Sequence, residues 1–268
     1  MKSWESNYRK LMSGTLQGAA TLESPVSPLV VTLTSFPLRY PRLLPLTLHS
    51  LMCQSVAFDR VVLWIADTQW DDSLLKHPWG DRLEIRRCRD SGSHKRVVAA
   101  RDLFRDSWVA VADDDLYYHP MWLYNLVRGA RADQVVAYRM RHIEVTKDGS
   151  LASYKGWTTT SPETYTVSPL NMPTLGHGTL FPPGALHEDA YDVDKCLSLC
   201  PIRSDFWTYW MFRRNGLEAV KCRFPYKRVQ WPGSKEGSIS SKGGAKSNMV
   251  QLANLTKAYG CAWRKDYQ

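Results

Sequence analysis

The 268-residue sequence contains no apolar run that approaches the roughly 20 residues needed to cross a bilayer. Its first ten residues, Met-Lys-Ser-Trp-Glu-Ser-Asn-Tyr-Arg-Lys, lack the apolar segment of a signal peptide. The six cysteines have neither the spacing of a disulfide scaffold nor that of a zinc site, so we expect ordinary buried thiols in a reducing compartment. These absences predict a cytoplasmic protein.

Acidic residues are scarce in one part of the chain only. Residues 213–268 carry 12 basic and three acidic side chains, whereas residues 1–212 carry 23 of each, so the whole net charge of +9 lies near the carboxyl end. Such a segment suits a phosphate-rich ligand or peripheral contact with an anionic membrane, and less specifically a nucleic acid. A solvated basic face explains the same charge equally well.

The first half of the chain alternates apolar strands with amphipathic helices. Strands are predicted over 29–34, 60–66, 83–88 and 108–112, and helices over 41–55 and 93–106. This order predicts an α/β fold with a mostly parallel central sheet flanked by helices. The second half predicts strands at 134–138, 142–146, 179–181 and 219–224, a hairpin from 142–146 to 151–154, and helices beginning at 204 and 249.

Three consecutive carboxylates, Asp113, Asp114 and Asp115, follow the strand over 108–112. Adjacent carboxylates repel one another, so the triad costs stability unless a cation lies beside it. The carboxyl end of a central strand is also where open α/β sheets bind ligands. We therefore predict a divalent-metal site that holds a diphosphate. An acidic cluster that stabilises the following helix is the structural alternative.

The triad and three further segments resemble the nucleotide-sugar-dependent glycosyltransferases of the GT-A fold, most closely the small bacterial members of family 2. The further segments are Thr34-Ser-Phe-Pro-Leu-Arg39, Leu180-Phe-Pro-Pro-Gly184 and Cys200-Pro-Ile-Arg-Ser-Asp205-Phe-Trp. The last is similar to the family's Cys-Pro-x-x-Asp-Asp-x-Trp, except that the first aspartate is Ser204 here. The resemblance covers roughly residues 29–260.

The resemblance implies a GT-A (Rossmann-like) fold with a smaller antiparallel portion on the acceptor side. A single domain over 29–260 would comprise a nucleotide-binding half (29–132) and an acceptor-binding half (133–260) with a mobile loop (231–248). Residues 1–28 would form an N-terminal arm and residues 261–268 a tail. The implied reaction moves a sugar from a nucleotide sugar, expected to be UDP-linked, to a glycan or lipid-linked glycan. The implied setting is the synthesis of bacterial surface polysaccharide or lipopolysaccharide.

The resemblance also implies the roles of individual residues. Asp115 would ligate Mn²⁺ or Mg²⁺ together with Asp113, which also contacts the nucleotide, and Asp114 would help either role. Asp205 would be the general base of an inverting transfer, since an acceptor hydroxyl must lose its proton as it attacks. An aspartate in the first turn of a helix can instead simply stabilise that helix.

The remaining candidates are weaker individually. The nucleotide would be contacted by Thr34, Ser35, Arg39, Asp67 and Asp90, and its phosphates by Lys95, Arg96, Lys242 and Lys246. The acceptor would be contacted by Trp157, His177 and Gly178, because indole faces stack on sugars and the histidine stands between two glycines.

Two other functions fit parts of the sequence. A nucleotidyltransferase would share the sheet and the metal carboxylates, but it usually carries a glycine-rich loop after the first strand, and Thr-Ser-Phe-Pro-Leu-Arg has no glycine. A non-enzymatic nucleic-acid-binding protein would explain the basic carboxyl-terminal segment but not the triad. We therefore expect a transferase without a nucleic-acid partner.

Overall fold

The computed structural model describes residues 22–69, 77–224, 227–236 and 245–267, with side chains from 247 onward in the last range. Outside the described residues lie Lys242, the Lys246 side chain, residues 237–244 of the predicted loop 231–248, and the first 21 residues of the predicted arm. No helix of the described ranges is long and apolar enough to span a membrane.

The described residues form eleven strands and seven α-helices. The strands are β1 (Leu29–Thr34), β2 (Arg60–Ala66), β3 (Leu83–Cys88), β4 (Trp108–Val111), β5 (Leu116–Tyr117), β6 (Gln134–Ala137), β7 (Met140–His142), β8 (Asn171–Pro173), β9 (Thr179–Phe181), β10 (Glu218–Lys221) and β11 (Val229–Gln230). The helices are α1 (Leu44–Met52), α2 (Lys95–Val98), α3 (Arg101–Asp106), α4 (Trp122–Val127), α5 (Val193–Leu199), α6 (Ser204–Arg214) and α7 (Ala245–Tyr259).

Seven strands form the central sheet in the order β10-β6-β9-β4-β1-β2-β3. Strands β4, β1, β2 and β3 are parallel neighbours, β6 and β10 are parallel to each other, and β9 runs antiparallel between β4 and β6. The carboxyl ends of β1, β2, β3 and β4 therefore lie at one edge of the sheet. This sheet confirms the expected α/β class, with a mostly parallel central sheet and a smaller antiparallel portion.

The central strands are apolar along their whole length because both faces of the sheet are covered. Val30, Val62 and Val109 belong to one core cluster, which includes the aromatic residues of α6. Val31 and Leu63 belong to the other, which includes α1 and α4. Burying each such side chain contributes about 1.5–3 kcal/mol, so continuous apolar strands are what a sheet covered on both faces requires.

Helix α6 is deeply buried, with nine of its eleven residues buried. Phe206, Trp207 and Trp210 have no exposed surface, and the helix ends before Gly216, which has φ of +80°. The predicted start at Ser204 is confirmed, but its hydroxyl does not cap the helix. The Ser93 hydroxyl, at the start of the helix predicted over 93–106, donates to Ser204 Oγ at 3.2 Å.

Other elements differ from the prediction. The expected helix over 93–106 is broken between α2 and α3, at residues 99–100. In place of the strand expected over 142–146, the structure has β7, which pairs with β8. The expected hairpin to 151–154 is reduced to a single bridge between Val145 and Leu151. Local pattern could not identify β8 because its partner lies about 30 residues away along the chain.

Candidate functional site

The acidic triad lies at the carboxyl end of β4, as the sequence predicts. The Ala112 N–H still donates to Thr32 O of β1 at 2.9 Å, and the chain leaves the sheet at Asp113. The Asp113 N–H donates to the Tyr118 hydroxyl oxygen at 2.7 Å. The Tyr118 hydroxyl in turn donates to Gly176 O at 2.6 Å, so the triad is fixed against the turn that precedes β9.

Asp114 and Asp115 face the segment that follows β1. The Ser35 hydroxyl donates to Asp114 Oδ2 at 2.6 Å, and Arg39 Nη1 lies 3.0 Å from Asp115 Oδ2. Arg39 is only 4% exposed, and its Nη2 donates to Ser234 O at 2.6 Å. The structure thus brings two predicted nucleotide contacts to the triad, but it uses both of them to hold the carboxylates.

The three carboxyls differ in how readily they ionise. Burial raises the pKa of Asp114 to about 6, although Arg39 and the Ser35 hydroxyl act in the opposite direction. Burial and the negative charge of Asp113 raise the pKa of Asp115. Burial would also raise the pKa of Asp113, but the Arg96 guanidinium lowers it below its ordinary value. A cation near Asp115 would relieve this crowding.

Arg96, on α2, lies between the triad and Asp205. Its Nη1 donates to Asp113 Oδ1 and to Ala112 O, each at 2.5 Å, and the residue is 5% exposed. Burial raises the pKa of Asp205, and the positive charge of Arg96 offsets part of this increase. The suggestion that Arg96 reaches the phosphates is therefore replaced by a role in holding the carboxylates.

Asp205 lies in the first turn of α6 but does not cap that helix. Its Oδ1 accepts a hydrogen bond from the Leu175 N–H at 3.1 Å. Burial raises its pKa, and the negative charge of Asp113 acts in the same direction. The carboxylate is thus fixed by the turn before β9 and lies within the electrostatic reach of the triad.

The turn over 175–178 contacts both acidic centres and needs its glycines. A Cβ on Gly176 would lie 1.7–1.9 Å from the carboxylate atoms of Asp113. Gly178 has φ of +117°, and a Cβ there would lie 2.4 Å from Trp122 Nε1. Close approach, together with the positive φ at Gly178, therefore requires glycine at both positions.

His177, between these glycines, lies beside the triad. Burial lowers its pKa to about 4, and the nearby Arg139 and Arg228 add to this effect while Asp113 opposes it. Its Nε2 lies 3.0 Å from Arg228 Nη1. The histidine is therefore neutral at pH 7. The predicted acceptor contacts His177 and Gly178 are both placed next to the acidic centres.

A second group of predicted nucleotide contacts follows β2 and β3. Asp90 Oδ1 accepts from Lys95 Nζ at 2.8 Å and from the Gly92 N–H at 3.0 Å. Asp90 Oδ2 accepts from Gln69 Nε2 at 3.1 Å. Lys95 is only 3% exposed, so its ammonium group holds Asp90 in place. The Asp90 carboxylate itself remains partly exposed at the same edge of the sheet.

The remaining predicted site residues are not drawn into these groups. The Thr34 hydroxyl donates to Trp64 O at 2.8 Å and so joins β1 to β2. Asp67 is exposed at the start of a 3-10 turn. Trp157 is 3% exposed and belongs to the core, where its indole N–H donates to Ala152 O. Its ring face is covered by protein rather than open to a sugar.

The predicted donor set for a metal consists of two carboxylates, Asp113 and Asp115. Within the described residues, no three His, Cys, Asp or Glu side chains are grouped so that they could hold a metal ion. Asp113 and Asp115 offer hard oxygen donors, which suit Mg²⁺ or Mn²⁺ when phosphate oxygens and water complete the coordination shell. The residues therefore fit a cation that binds together with a diphosphate.

Comparisons with known proteins identify no family. No protein-family model matches the chain, and no curated protein matches its sequence. Among solved structures, it is similar to 4-diphosphocytidyl-2C-methyl-D-erythritol synthase from Anaerococcus prevotii, with 11% identity, a TM-score of 0.48, and coverage of 87% of this chain and 98% of that one.

Two structures with bound UDP are also similar. S. aureus TarS 1–349 in complex with UDP has 18% identity, a TM-score of 0.45, and coverage of 74% of this chain and 59% of that one. Glucosyl-3-phosphoglycerate synthase from Mycobacterium tuberculosis, in complex with Mn²⁺, UDP and phosphoglyceric acid, has 14% identity, a TM-score of 0.45, and coverage of 90% and 81%. At these values, none of the three assigns a family or an activity to this chain.

From the sequence we expected a different role for Arg96 and did not identify three other residues of the site. Arg96, Tyr118, Arg139 and Arg228 all lie next to the acidic centres. The alternation Arg139-x-Arg141 at the start of a strand is a sequence signal that two cations share one face. The roles of Tyr118 and Arg228 have no such signal, because they depend on where the backbone places the turn before β9.

Proposed function

We propose that the chain is a metal-dependent glycosyltransferase that moves a sugar from a nucleotide sugar, expected to be UDP-linked, to a hydroxyl of a glycan or lipid-linked glycan. One observation carries the proposal. The Leu175 N–H holds Asp205, while the next residue, Gly176, lies against the carboxylate of Asp113. Two acidic centres of different character are thus fixed one residue apart on the same turn.

The donor would bind at the carboxyl ends of β1 to β4. Asp115 and Asp113 would hold Mn²⁺ or Mg²⁺, which supplies positive charge to offset the charge that develops on the departing diphosphate. Arg39 and Ser35 position the carboxylates, since both contact the triad directly. The second group, around Asp90, would contact the nucleoside.

The acceptor would bind on the opposite side of the turn, next to Asp205. A buried carboxylate whose pKa is raised is a stronger base than an ordinary aspartate, and general bases work best when their pKa approaches the operating pH. Asp205 would take the proton from the acceptor hydroxyl as that hydroxyl attacks the sugar. A single displacement of this kind inverts the configuration at the sugar carbon.

A nucleotidyltransferase remains the second enzyme class, and the segment after β1 argues against it. In that class the segment cradles a triphosphate with exposed backbone N–H groups and free cations. Here Arg39 is nearly buried and is bonded to Ser234 and paired with Asp115, and the Ser35 hydroxyl is bonded to Asp114. A nucleic-acid-binding function leaves the buried carboxylates without a role.

The proposed setting is the synthesis of surface polysaccharide or lipopolysaccharide at the cytoplasmic face of a membrane. The basic carboxyl-terminal segment would make the peripheral contact with anionic lipids. The charge distribution supports this part of the proposal, since residues 213–268 hold the entire net charge.

The test is a screen of sugar nucleotides with Mn²⁺, in which release of nucleoside diphosphate is measured and the anomer of the product is then determined. Asp115→Asn should lose metal-dependent nucleotide binding, whereas Asp205→Asn should keep binding and lose transfer. Asp106→Asn is the matched control, because Asp106 is exposed and ends α3, before β4 begins.

Two outcomes would overturn the proposal. Normal turnover by Asp205→Asn would remove the general base. Release of pyrophosphate from a nucleoside triphosphate and a sugar phosphate, with no transfer from sugar nucleotides, would instead identify a nucleotidyltransferase.

A further inference from the structure

Arg139 and Arg141 lie on the acceptor side of Asp205. The Arg139 carbonyl accepts a hydrogen bond from the Thr174 N–H at 2.9 Å, and the next residue, Leu175, holds Asp205 through its N–H. Arg139 immediately precedes β7 and Arg141 lies within it, and the two guanidinium groups are close enough for the charge of Arg141 to lower the pKa of Arg139. The backbone thus places the segment that carries both arginines beside the turn that holds the proposed general base.

The two arginines differ in their partners. Arg141 Nη1 donates to Trp157 O at 3.0 Å, and its guanidinium lies 4.4 Å from the centre of the Tyr154 ring. The Arg139 guanidinium, although partly buried, makes no hydrogen bond or ion pair with any residue that the structure describes. None of its nitrogens is both buried and unpartnered, so the guanidinium is open to solvent or to a ligand.

Arg139 is also repelled by its neighbours. Burial, together with the like charges of Arg141 and Arg228, lowers its pKa. Asp205 is the acidic group whose charge opposes this effect. Arg228 occupies a different place, since it contacts His177 at 3.0 Å and acts on the pKa of Asp115. Arg139 therefore belongs to the acceptor side, and Arg228 lies between that side and the triad.

No bond within the described residues compensates for holding Arg139 between like charges. A bound anion would compensate for it, because guanidinium groups form paired, charge-assisted hydrogen bonds with phosphate and carboxylate oxygens. An anion here would also orient an acceptor, by fixing one end of the molecule while a hydroxyl faces Asp205. The arrangement thus joins a binding group to the proposed base.

We propose that the acceptor carries an anionic group, a phosphate or a carboxylate, and that Arg139 binds this group with the support of Arg141. The inference rests on the proposed function, because it takes the side of Asp205 as the acceptor side. It narrows the acceptor from any glycan to one with a phosphate-linked or acidic sugar next to the hydroxyl that is glycosylated.

The test uses inorganic phosphate and acetate as separate probes, titrated by calorimetry at constant ionic strength with a chelator present. Chelation removes the metal on which the donor site depends. Losing one charge-assisted bond should weaken binding by about tenfold or more, so Arg139→Gln should bind the preferred anion at least that much more weakly. Tighter binding of phosphate would indicate a phosphorylated acceptor, and tighter binding of acetate an acidic sugar.

Arg131→Gln is the matched control. Arg131 is an exposed arginine paired with Asp133, in the loop that precedes β6, and its substitution should leave anion binding unchanged. The melting temperature gives an independent readout, because the Arg139 side chain makes no hydrogen bond or ion pair with any residue that the structure describes. Arg139→Gln should melt at the wild-type temperature or above it, and a clearly lower melting temperature would indicate a structural role and overturn the inference.

Other outcomes separate the two proposals. Equal anion affinity in wild type and Arg139→Gln, or displacement of the anion by UDP with Mn²⁺, would overturn the anion site. Failure of UDP with Mn²⁺ to bind, combined with Arg139-dependent anion binding, would overturn the proposed function and leave an anion site of another enzyme.

Discussion

Replacing Gly176 with alanine places a methyl group where the carboxylate of Asp113 lies. The new Cβ would be 1.7–1.9 Å from three atoms of that carboxylate, far closer than two such groups can approach. Gly176 does not have positive φ, so the alanine backbone itself is unstrained. The clash therefore falls first on Asp113, which must rotate away from its position.

The size of the effect follows from what Asp113 leaves behind. Its ion pair with Arg96 is 2.5 Å long, and the Arg96 side chain is only 6% exposed. Removing the partner of a buried charge costs roughly 3–5 kcal/mol. Because Arg96 keeps its bond to Ala112 O, we expect Gly176→Ala to lower the free energy of unfolding by about 3 kcal/mol, near the lower end of that range. Metal-dependent nucleotide binding should fall with it.

The assay is urea unfolding of a double-mutant cycle. In an Asp113→Ala background the carboxylate is absent, so Gly176→Ala should cost little or even stabilise by about 0.4–1 kcal/mol, as glycine-to-alanine changes do at an ordinary φ. The coupling energy should therefore exceed about 2 kcal/mol. Gly156→Ala is the matched control, since no atom lies within 4 Å of its added Cβ. An equal cost of Gly176→Ala in both backgrounds would refute the reasoning.

Two further predictions concern groups around the site. Burial lowers the pKa of His94 to about 4, with a smaller effect from Arg96, while its unfolded value is about 6.5. Above pH 6.5, His94 is neutral in both the folded and the unfolded chain. As the pH falls from 6.5 towards 4, only the unfolded chain binds a proton at His94, so the free energy of unfolding falls by about 3 kcal/mol. His94→Gln should flatten this part of the pH dependence in urea unfolding, and an unchanged slope would contradict the assignment. Ser35→Ala removes the 2.6 Å bond to buried Asp114; at pH 7.5 it should lower the free energy of unfolding by about 1–3 kcal/mol, and a cost near zero would show that the bond contributes nothing.

The central strands could be predicted from the sequence because their patterns are strong. β1, β2 and β3 have the predicted bounds. β1 and β2 are nearly continuous apolar runs, which suit strands covered on both faces, whereas β3 is an edge strand that carries Glu84, Arg86 and Arg87. The meeting of Ser35, Arg39 and the triad was also predictable, because the carboxyl ends of parallel strands lie at one edge. The break between α2 and α3 was not, because the apolar spacing across residues 97–104 is helical throughout.

The uses of individual side chains were harder to predict. Arg39 was expected to contact a nucleotide, and it instead lies 3.0 Å from Asp115. Trp157 was expected to face a sugar, and it is buried in the core. In both cases the residue type indicates what the side chain can do, while its partner is set by long-range packing. The pairing of β7 with β8 and the position of Arg139 depend on the same long-range contacts.

Metal-dependent binding of a nucleoside diphosphate tests the central claim most directly. UDP is titrated by calorimetry into wild type, Asp115→Asn and the control Asp106→Asn, with Mn²⁺ and then with a chelator. We expect the wild type and Asp106→Asn to bind UDP only when Mn²⁺ is present, and Asp115→Asn to bind at least about tenfold more weakly. Equal binding by Asp115→Asn, or binding that does not depend on the metal, would contradict the assignment of the triad as the site that holds the metal and the diphosphate.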